Sequence, residues 1–120
     1  MLKLYTLSNC DSCRRAVKWL RARSVAFEER AIRETPPTLA ELRAALAAQG
    51  DLRRLFNTAG QEYRALKIAE QLPAMSEAAA LALLAGNGRL VKRPFLIVGG
   101  AAWAGFDEQA WARMVGRESV

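Results

Sequence analysis

Residues 4–20, LYTLSNCDSCRRAVKWL, carry both cysteines of the chain, Cys10 and Cys13, three positions apart. The stretch also changes period in the middle. Residues 2–6 (LKLYT) alternate apolar and polar in the manner of a strand. From Asp11 to about Arg23 the period becomes helical, with Cys13, Ala16, Val17 and Leu20 at i, i+3, i+4 and i+7 on one apolar face. Arg14, Lys18 and Arg21 follow the same spacing on another side and form a basic stripe. The pair thus spans a strand-to-helix turn, with Cys10 just before the first turn of the helix and Cys13 one turn further on.

The next elements place that turn in a fold. SVAFEER (24–30) reads as a second strand, and one helix between two strands is the spacing of a parallel βαβ unit. TPPTLAELRAALAAQG (35–50) is a helix with a capping box at Thr38 and Glu41, a buried stripe of Leu39, Leu42 and Leu46, and Gly50 at its C-terminus. LRRLFNTAGQEYRAL (52–66) reads as a short helix, a loop at Asn57–Gly60 and another short helix. Ser76 opens a further helix that GNG at 86–88 stops. PFLIV, Gly99-Gly100 and AAWAGF form a hairpin, and Asp107 caps a last helix. The order βαβ, helical middle, ββα, with CxxC at the first turn, predicts an α/β chain of thioredoxin-like fold on one mixed sheet. One domain is expected over residues 1–120, with a helical insertion over about 38–85.

Composition narrows the chemistry. Hydrophobic residues make up 52% of the 120 and charged residues 25%, a globular balance. No apolar run reaches the roughly eighteen residues of a membrane span, and no secretory signal is apparent, so a cytoplasmic protein is expected. In that compartment two cysteines serve redox or metal chemistry more often than a structural disulfide. Histidine is absent, which removes the commonest general base and zinc ligand. Two cysteines alone fall short of a structural zinc site, and no metal is expected. Net charge is +6, but it is spread along the chain, so a wetted basic surface is favoured over direct nucleic-acid binding.

Cysteine reacts as the thiolate, and a free thiol with pKa near 8.5 is mostly protonated at neutral pH. At a helix N-terminus the unpaired N–H groups and the positive dipole end favour the anion. Cys10 is therefore the expected nucleophile. Cys13 is placed to attack a mixed disulfide on Cys10, or simply to pack as a small hydrophobe.

These segments resemble the arsenate reductase (ArsC)/Spx family over nearly the whole chain. The opening stretch, LRRLFNTAGQEYRAL and LVKRPFLIVGGAAWAGFDEQAW (90–111) carry the likeness, and NCD, LFNTAG, KRP and GF are closest to the YffB-like thiol reductase branch. The resemblance implies Cys10 as nucleophile, Arg93 as its anion-binding partner and Pro94 as a cis-proline held against it. It further implies that Asn9, Asp11, Ser12 and Asn57 contribute to substrate binding. Of the three arginines that glutaredoxin-coupled arsenate reductases use, Arg93 alone stands here. Asn57 occupies the second place, AGF holds no third, and Ala59 replaces the arginine found in related NTRG loops. The implied activity is thiol–disulfide reduction that depends on glutathione or glutaredoxin, with thioredoxin as another reductant and no tightly bound cofactor. Alternatives implied by the same resemblance are an Spx-type redox-sensing regulator docking on the RNA polymerase α subunit, and arsenate reduction.

Overall fold

The computed structural model describes residues 2–118. A four-stranded sheet in the order β2-β1-β3-β4 forms its centre. Strand β1 (Leu2–Thr6) pairs in parallel with β2 (Phe27–Ala31) and antiparallel with β3 (Phe95–Val98), which pairs antiparallel with β4 (Ala101–Ala104). Helix α1 (Asp11–Ala22) makes the crossover from β1 to β2. Helix α2 (Leu39–Gln49) follows β2; the short helices α3 (Gln61–Ala65) and α4 (Ile68–Gln71) and then α5 (Glu77–Gly86) lead to β3, and α6 (Glu108–Glu118) closes the chain. This is the thioredoxin-like arrangement anticipated from the order of elements.

Alternation along the strands divides the core between two faces. Leu2, Leu4, Leu96 and Val98 meet α1 and α6 through Ala16, Trp19, Leu20, Trp111 and Met114. Tyr5 and Phe95 point the other way, into a core built with Leu42, Leu55, Phe56, Leu81 and Leu84 of the helical segment. Removing an indole as deeply buried as Trp111 costs about 3–5 kcal/mol.

Several local expectations meet the structure closely. Thr38 and Glu41 form both bonds of the capping box, and Gly50 ends α2 with φ +72° in the left-handed region. Ser76 Oγ accepts from the Ala79 N–H, and Asp107 Oδ1 accepts from the Ala110 N–H. Others are corrected. The second strand starts at Phe27 rather than Ser24, because Ser24 adopts φ +57° and the N–H groups of Ser24 and Val25 bond back to the end of α1. Leu39 is exposed at 40%, and Ala45 joins Leu42 in the core instead. Trp19 is buried and Val17 only half-buried, so the apolar face of α1 is rotated toward α6. Residues 68–74, which carry no clear periodicity, form α4 and a following single turn.

Two backbone contacts hold the helical segment against the end of the sheet where β1 and β2 finish. The Asn57 N–H donates to the Leu90 carbonyl at 2.7 Å and the Lys92 N–H to the Leu55 carbonyl at 2.8 Å, a short ladder that sets Asn57 beside the segment leading to Arg93. Gly88 lies so close to the backbone of Ile32 that a Cβ would fall 1.9 Å from its carbonyl oxygen. Glycine is required there by contact, since no other residue lets the two chains approach.

Candidate active site

Loop 7–10 joins β1 to α1. Asn9 takes φ +60°, a conformation asparagine tolerates better than most residues, and turns the chain into the helix. Cys10 is the N-cap of α1, with extended φ and ψ of −123° and 111°. Its carbonyl accepts the first helical bond from the Arg14 N–H at 3.0 Å, and its sulfur accepts from the Cys13 N–H at 3.3 Å. Sulfur therefore fills the place usually taken by a serine, threonine or aspartate oxygen, where an orphan N–H meets an anion.

Both cysteines are free; Cys10 is half-buried and Cys13 buried. Burial pushes the Cys10 thiol up, but it is outweighed by the Cys13 side chain, the Ser12 hydroxyl, the Cys13 N–H and the charge of Arg93, which together hold the thiol below its ordinary value. Cys13 moves the opposite way. Burial, followed by its hydrogen bond to Cys10, pushes its pKa up to about 12. The two thiols are thus pushed apart, Cys10 toward the thiolate and Cys13 toward the neutral form.

Ser12 Oγ lies 3.3 Å from the Cys10 sulfur and 3.4 Å from the Arg93 carbonyl oxygen, so its single proton serves one acceptor or the other. The Arg93–Pro94 peptide is cis, as the resemblance implies, and Pro94 is buried. Ser12 thus stands between Cys10 and the Arg93 backbone, while the Arg93 guanidinium donates to the Arg89 carbonyl at 3.3 Å.

Two cavities flank loop 7–10. One, about 900 Å³, runs beside the basic stripe of α1; Asn9, Cys13, Arg14, Lys18, Arg21 and Arg33 are among its lining residues. The other, about 380 Å³, is bounded by Leu7, Asn57, Gln61, Arg89, Arg93 and again Arg33, with Gly60 and Glu62. The structure thus groups Cys10, Ser12 and Cys13 in mutual contact, sets Arg93 within electrostatic reach, and puts Asn57 in the same cavity as Arg93. Cys10 and Ser12 line neither cavity; Asp11 does not either, and it is exposed and pairs with Arg14. Among the described residues no group of three or more metal-ligating side chains occurs.

Arg33 is the residue that sequence reasoning passed over. It stands just beyond β2, twenty positions after Cys13 in the sequence. The signal was nevertheless available: in parallel register Thr6 faces Ala31, so the residues following β2 come to rest beside loop 7–10. The C-terminal ends of parallel strands are where α/β sheets build their sites.

Fold and site define a class, a thioredoxin-like protein with a paired-cysteine centre at the first strand-to-helix turn. The chain belongs to the ArsC family, whose model matches residues 5–114. It is 42% identical over 108 residues to the uncharacterized protein YusI of Bacillus subtilis, covering 89% of this chain and 92% of that one. It is 32% identical to the global transcriptional regulator Spx of Enterococcus faecalis, covering 98% of this chain and 89% of the regulator. Among solved structures, an ArsC family related protein from Bacteroides fragilis superimposes with a TM-score of 0.86 at 34% identity, covering 94% and 96% of the two chains. No helix among the described residues is long and apolar enough to cross a membrane.

Proposed function

We infer that this protein is a thiol–disulfide reductase with Cys10 as nucleophile and Cys13 as resolving thiol. The observation that carries the inference is the N-cap itself: Cys10 is held as the more acidic thiol, with a buried, protonated Cys13 donating to it. In the first step the Cys10 thiolate attacks one sulfur of a substrate RS–SR′. A Cys10–SR disulfide forms, and R′S⁻ leaves and takes a proton from solvent. The negative charge that opposed ionisation of Cys13 is thereby removed. Cys13 then loses its proton and attacks the Cys10 sulfur, RS⁻ leaves, and an internal Cys10–Cys13 disulfide remains. Two electrons from a pair of glutathione molecules, or from the dithiol of glutaredoxin or thioredoxin, restore both thiols.

The test is a trap. A Cys13→Ser protein treated with glutathione disulfide should accumulate one glutathionyl group on Cys10, whereas the parent should proceed to the internal disulfide. Absence of any Cys10 adduct would sink the reductase reading.

A second reading draws on the likeness to Spx along almost the full chain. On this reading the cysteine pair is a redox switch and the surface docks on the RNA polymerase α subunit. A pull-down with that subunit, run on reduced and oxidised protein, separates the two: redox-dependent capture without disulfide turnover favours the regulator.

A further inference from the structure

We propose that Asn87–Gly88 is a modification site: an asparagine–glycine pair that loses its side-chain amide once its segment opens, and that the folded chain holds out of reaction. The inference is independent of the thiol chemistry at Cys10.

Asn-Gly occurs once in the sequence; Asn9 and Asn57 precede Cys10 and Thr58. An asparagine is most labile before glycine, which has no side chain to shield its own backbone nitrogen. That nitrogen attacks the Asn87 side-chain carbon Cγ. An N–Cγ bond forms, the Cγ–Nδ2 bond breaks, and Nδ2 leaves as ammonia with the proton of the Gly88 N–H. Water then opens the cyclic imide at either carbonyl and leaves aspartate or isoaspartate.

The fold needs both members of the pair. A Cβ at Gly88 would fall 1.9 Å from the Ile32 carbonyl oxygen. Asn87 caps the turn over Gly88–Leu90: its Oδ1 accepts from the Arg89 N–H at 3.1 Å, and its Nδ2 donates to Glu62 at 3.2 Å. Aspartate could accept at the cap but could not donate to Glu62.

The same contacts keep the pair unreactive. Attack requires the Gly88 nitrogen to eclipse Cβ about the Cα–C bond, and the Asn87 ψ of 95° sets it nearly opposite. Turning it over would pull Gly88 off Ile32, and bringing Cγ to the nitrogen would break both side-chain bonds. Water is at hand, since a cavity of about 300 Å³ is bounded by Asn87, Gly88, Glu62 and Arg89, so geometry is what limits the reaction. Once formed, the product no longer fits. A carboxylate at position 87 would stand against that of Glu62, and isoaspartate would add one backbone atom where Gly88 has no room. The disturbance would pass on toward Arg93, whose guanidinium donates to the Arg89 carbonyl.

The test follows all three asparagines by peptide mass spectrometry in heavy-oxygen water, with the reduced protein held at neutral pH either folded or in guanidinium chloride. In denaturant Asn87 should convert ahead of Asn9 and Asn57. In the folded protein its half-life should be at least about tenfold longer, the slowing expected where the reactive geometry is reached only by local opening. Glu62→Ala, which frees Nδ2, should shorten the folded half-life, whereas Glu62→Gln, which keeps an acceptor oxygen, should leave it near that of the parent. Equal half-lives in the folded and denatured protein would overturn the proposal. So would a Glu62→Ala protein that reacts no faster than the parent, or a denatured chain in which Asn9 or Asn57 converts before Asn87.

Discussion

Replacing Cys13 by alanine should change how Cys10 reacts even though Cys10 itself is untouched. The Cys13 side chain is foremost among the groups that hold the Cys10 thiol down. Alanine removes that donor and leaves the backbone N–H, 3.3 Å from the sulfur, in place. A hydrogen bond to a charged group is worth roughly 1.5–3 kcal/mol, but S–H is a weak donor. Cys10 is also half open to water, which screens the interaction, so about 1 kcal/mol is the appropriate scale. That amounts to about fivefold less thiolate at a pH below the titration midpoint. The freed thiolate is more basic and hence more nucleophilic, with a Brønsted slope of about 0.4–0.5, so roughly half of the logarithmic loss returns. The expected signature is a crossing in the iodoacetamide rate profile. Cys13→Ala should react about two- to threefold more slowly than the parent at low pH and about twofold faster on the alkaline plateau. Cys13→Ser, which keeps a stronger donor, should not lag at low pH. Since Cys13 in the parent ionises only at about 12, alkylation followed by peptide mass spectrometry reports Cys10 over the working range. Superimposed profiles for Cys13→Ala and the parent would refute the donor role.

Arg93→Ala should raise the Cys10 pKa, seen as slower alkylation at low pH, and Arg93→Lys should recover part of the loss because it restores the charge but not the fork. Gly88→Ala should cost several kcal/mol in urea unfolding, because its Cβ would meet the Ile32 carbonyl carbon at 2.8 Å as well as its oxygen. Gln49→Ala should lose about 1–3 kcal/mol, since the Gln49 amide both donates to the Ala104 carbonyl at 3.0 Å and accepts from its N–H at 2.8 Å, closing the edge of β4. The raised pKa of Cys13 gives the reduced protein stability that is complete below the ordinary 9.0 and lost as pH rises toward about 12; alkaline denaturation should show this slope and Cys13→Ala should flatten it. In glutaredoxin-coupled assays arsenate turnover should be weak beside that of glutathione mixed disulfides, and Asn57→Arg should raise it.

How much of this was legible in the sequence follows from the range of the interactions. Cap residues announce themselves because the partner is three positions away: Thr38 with Glu41, Ser76 with Ala79, and Cys10 with Cys13 all bond within one turn. The order of strands was legible because crossover and hairpin connections differ in length. The exposure of Leu39 and the burial of Trp19 were not, since a helical period fixes an apolar face but not its rotation against a neighbour. Trp19 is drawn inward by edge-to-face contacts with Phe106 and Trp111, 6.1 and 6.0 Å away, residues more than eighty positions later. Arg33 is the site's counterpart of that failure. Its place in both cavities depends on the β1–β2 register and on Gly88, neither of which a local pattern reveals.

The distribution of cations argues why a disulfide suits this site better than an oxyanion. Arsenate attached to the Cys10 sulfur would concentrate about two negative charges within a bond or two of that atom, so only groups close to sulfur stabilise it. There the chain offers the Ser12 hydroxyl, the Cys13 donors and the Arg93 charge. Asn57, in the place of the second arginine, supplies a hydrogen bond but no charge. Arg33 bounds the same cavity as Arg93 but is not among the foremost groups acting on the Cys10 thiol. A mixed disulfide makes different demands. Its reacting sulfurs carry a single negative charge shared along the S–S–S axis, which the helix N-terminus and one guanidinium already oppose. Any further charge on such a substrate lies several bonds from the reacting sulfur and calls for no second cation beside Cys10. On the proposed reading, a single cation beside the reacting sulfur therefore favours disulfide exchange over oxyanion chemistry. On that reading Asn57, an amide where the resemblance places a second arginine, is the position at which the choice between the two chemistries turns.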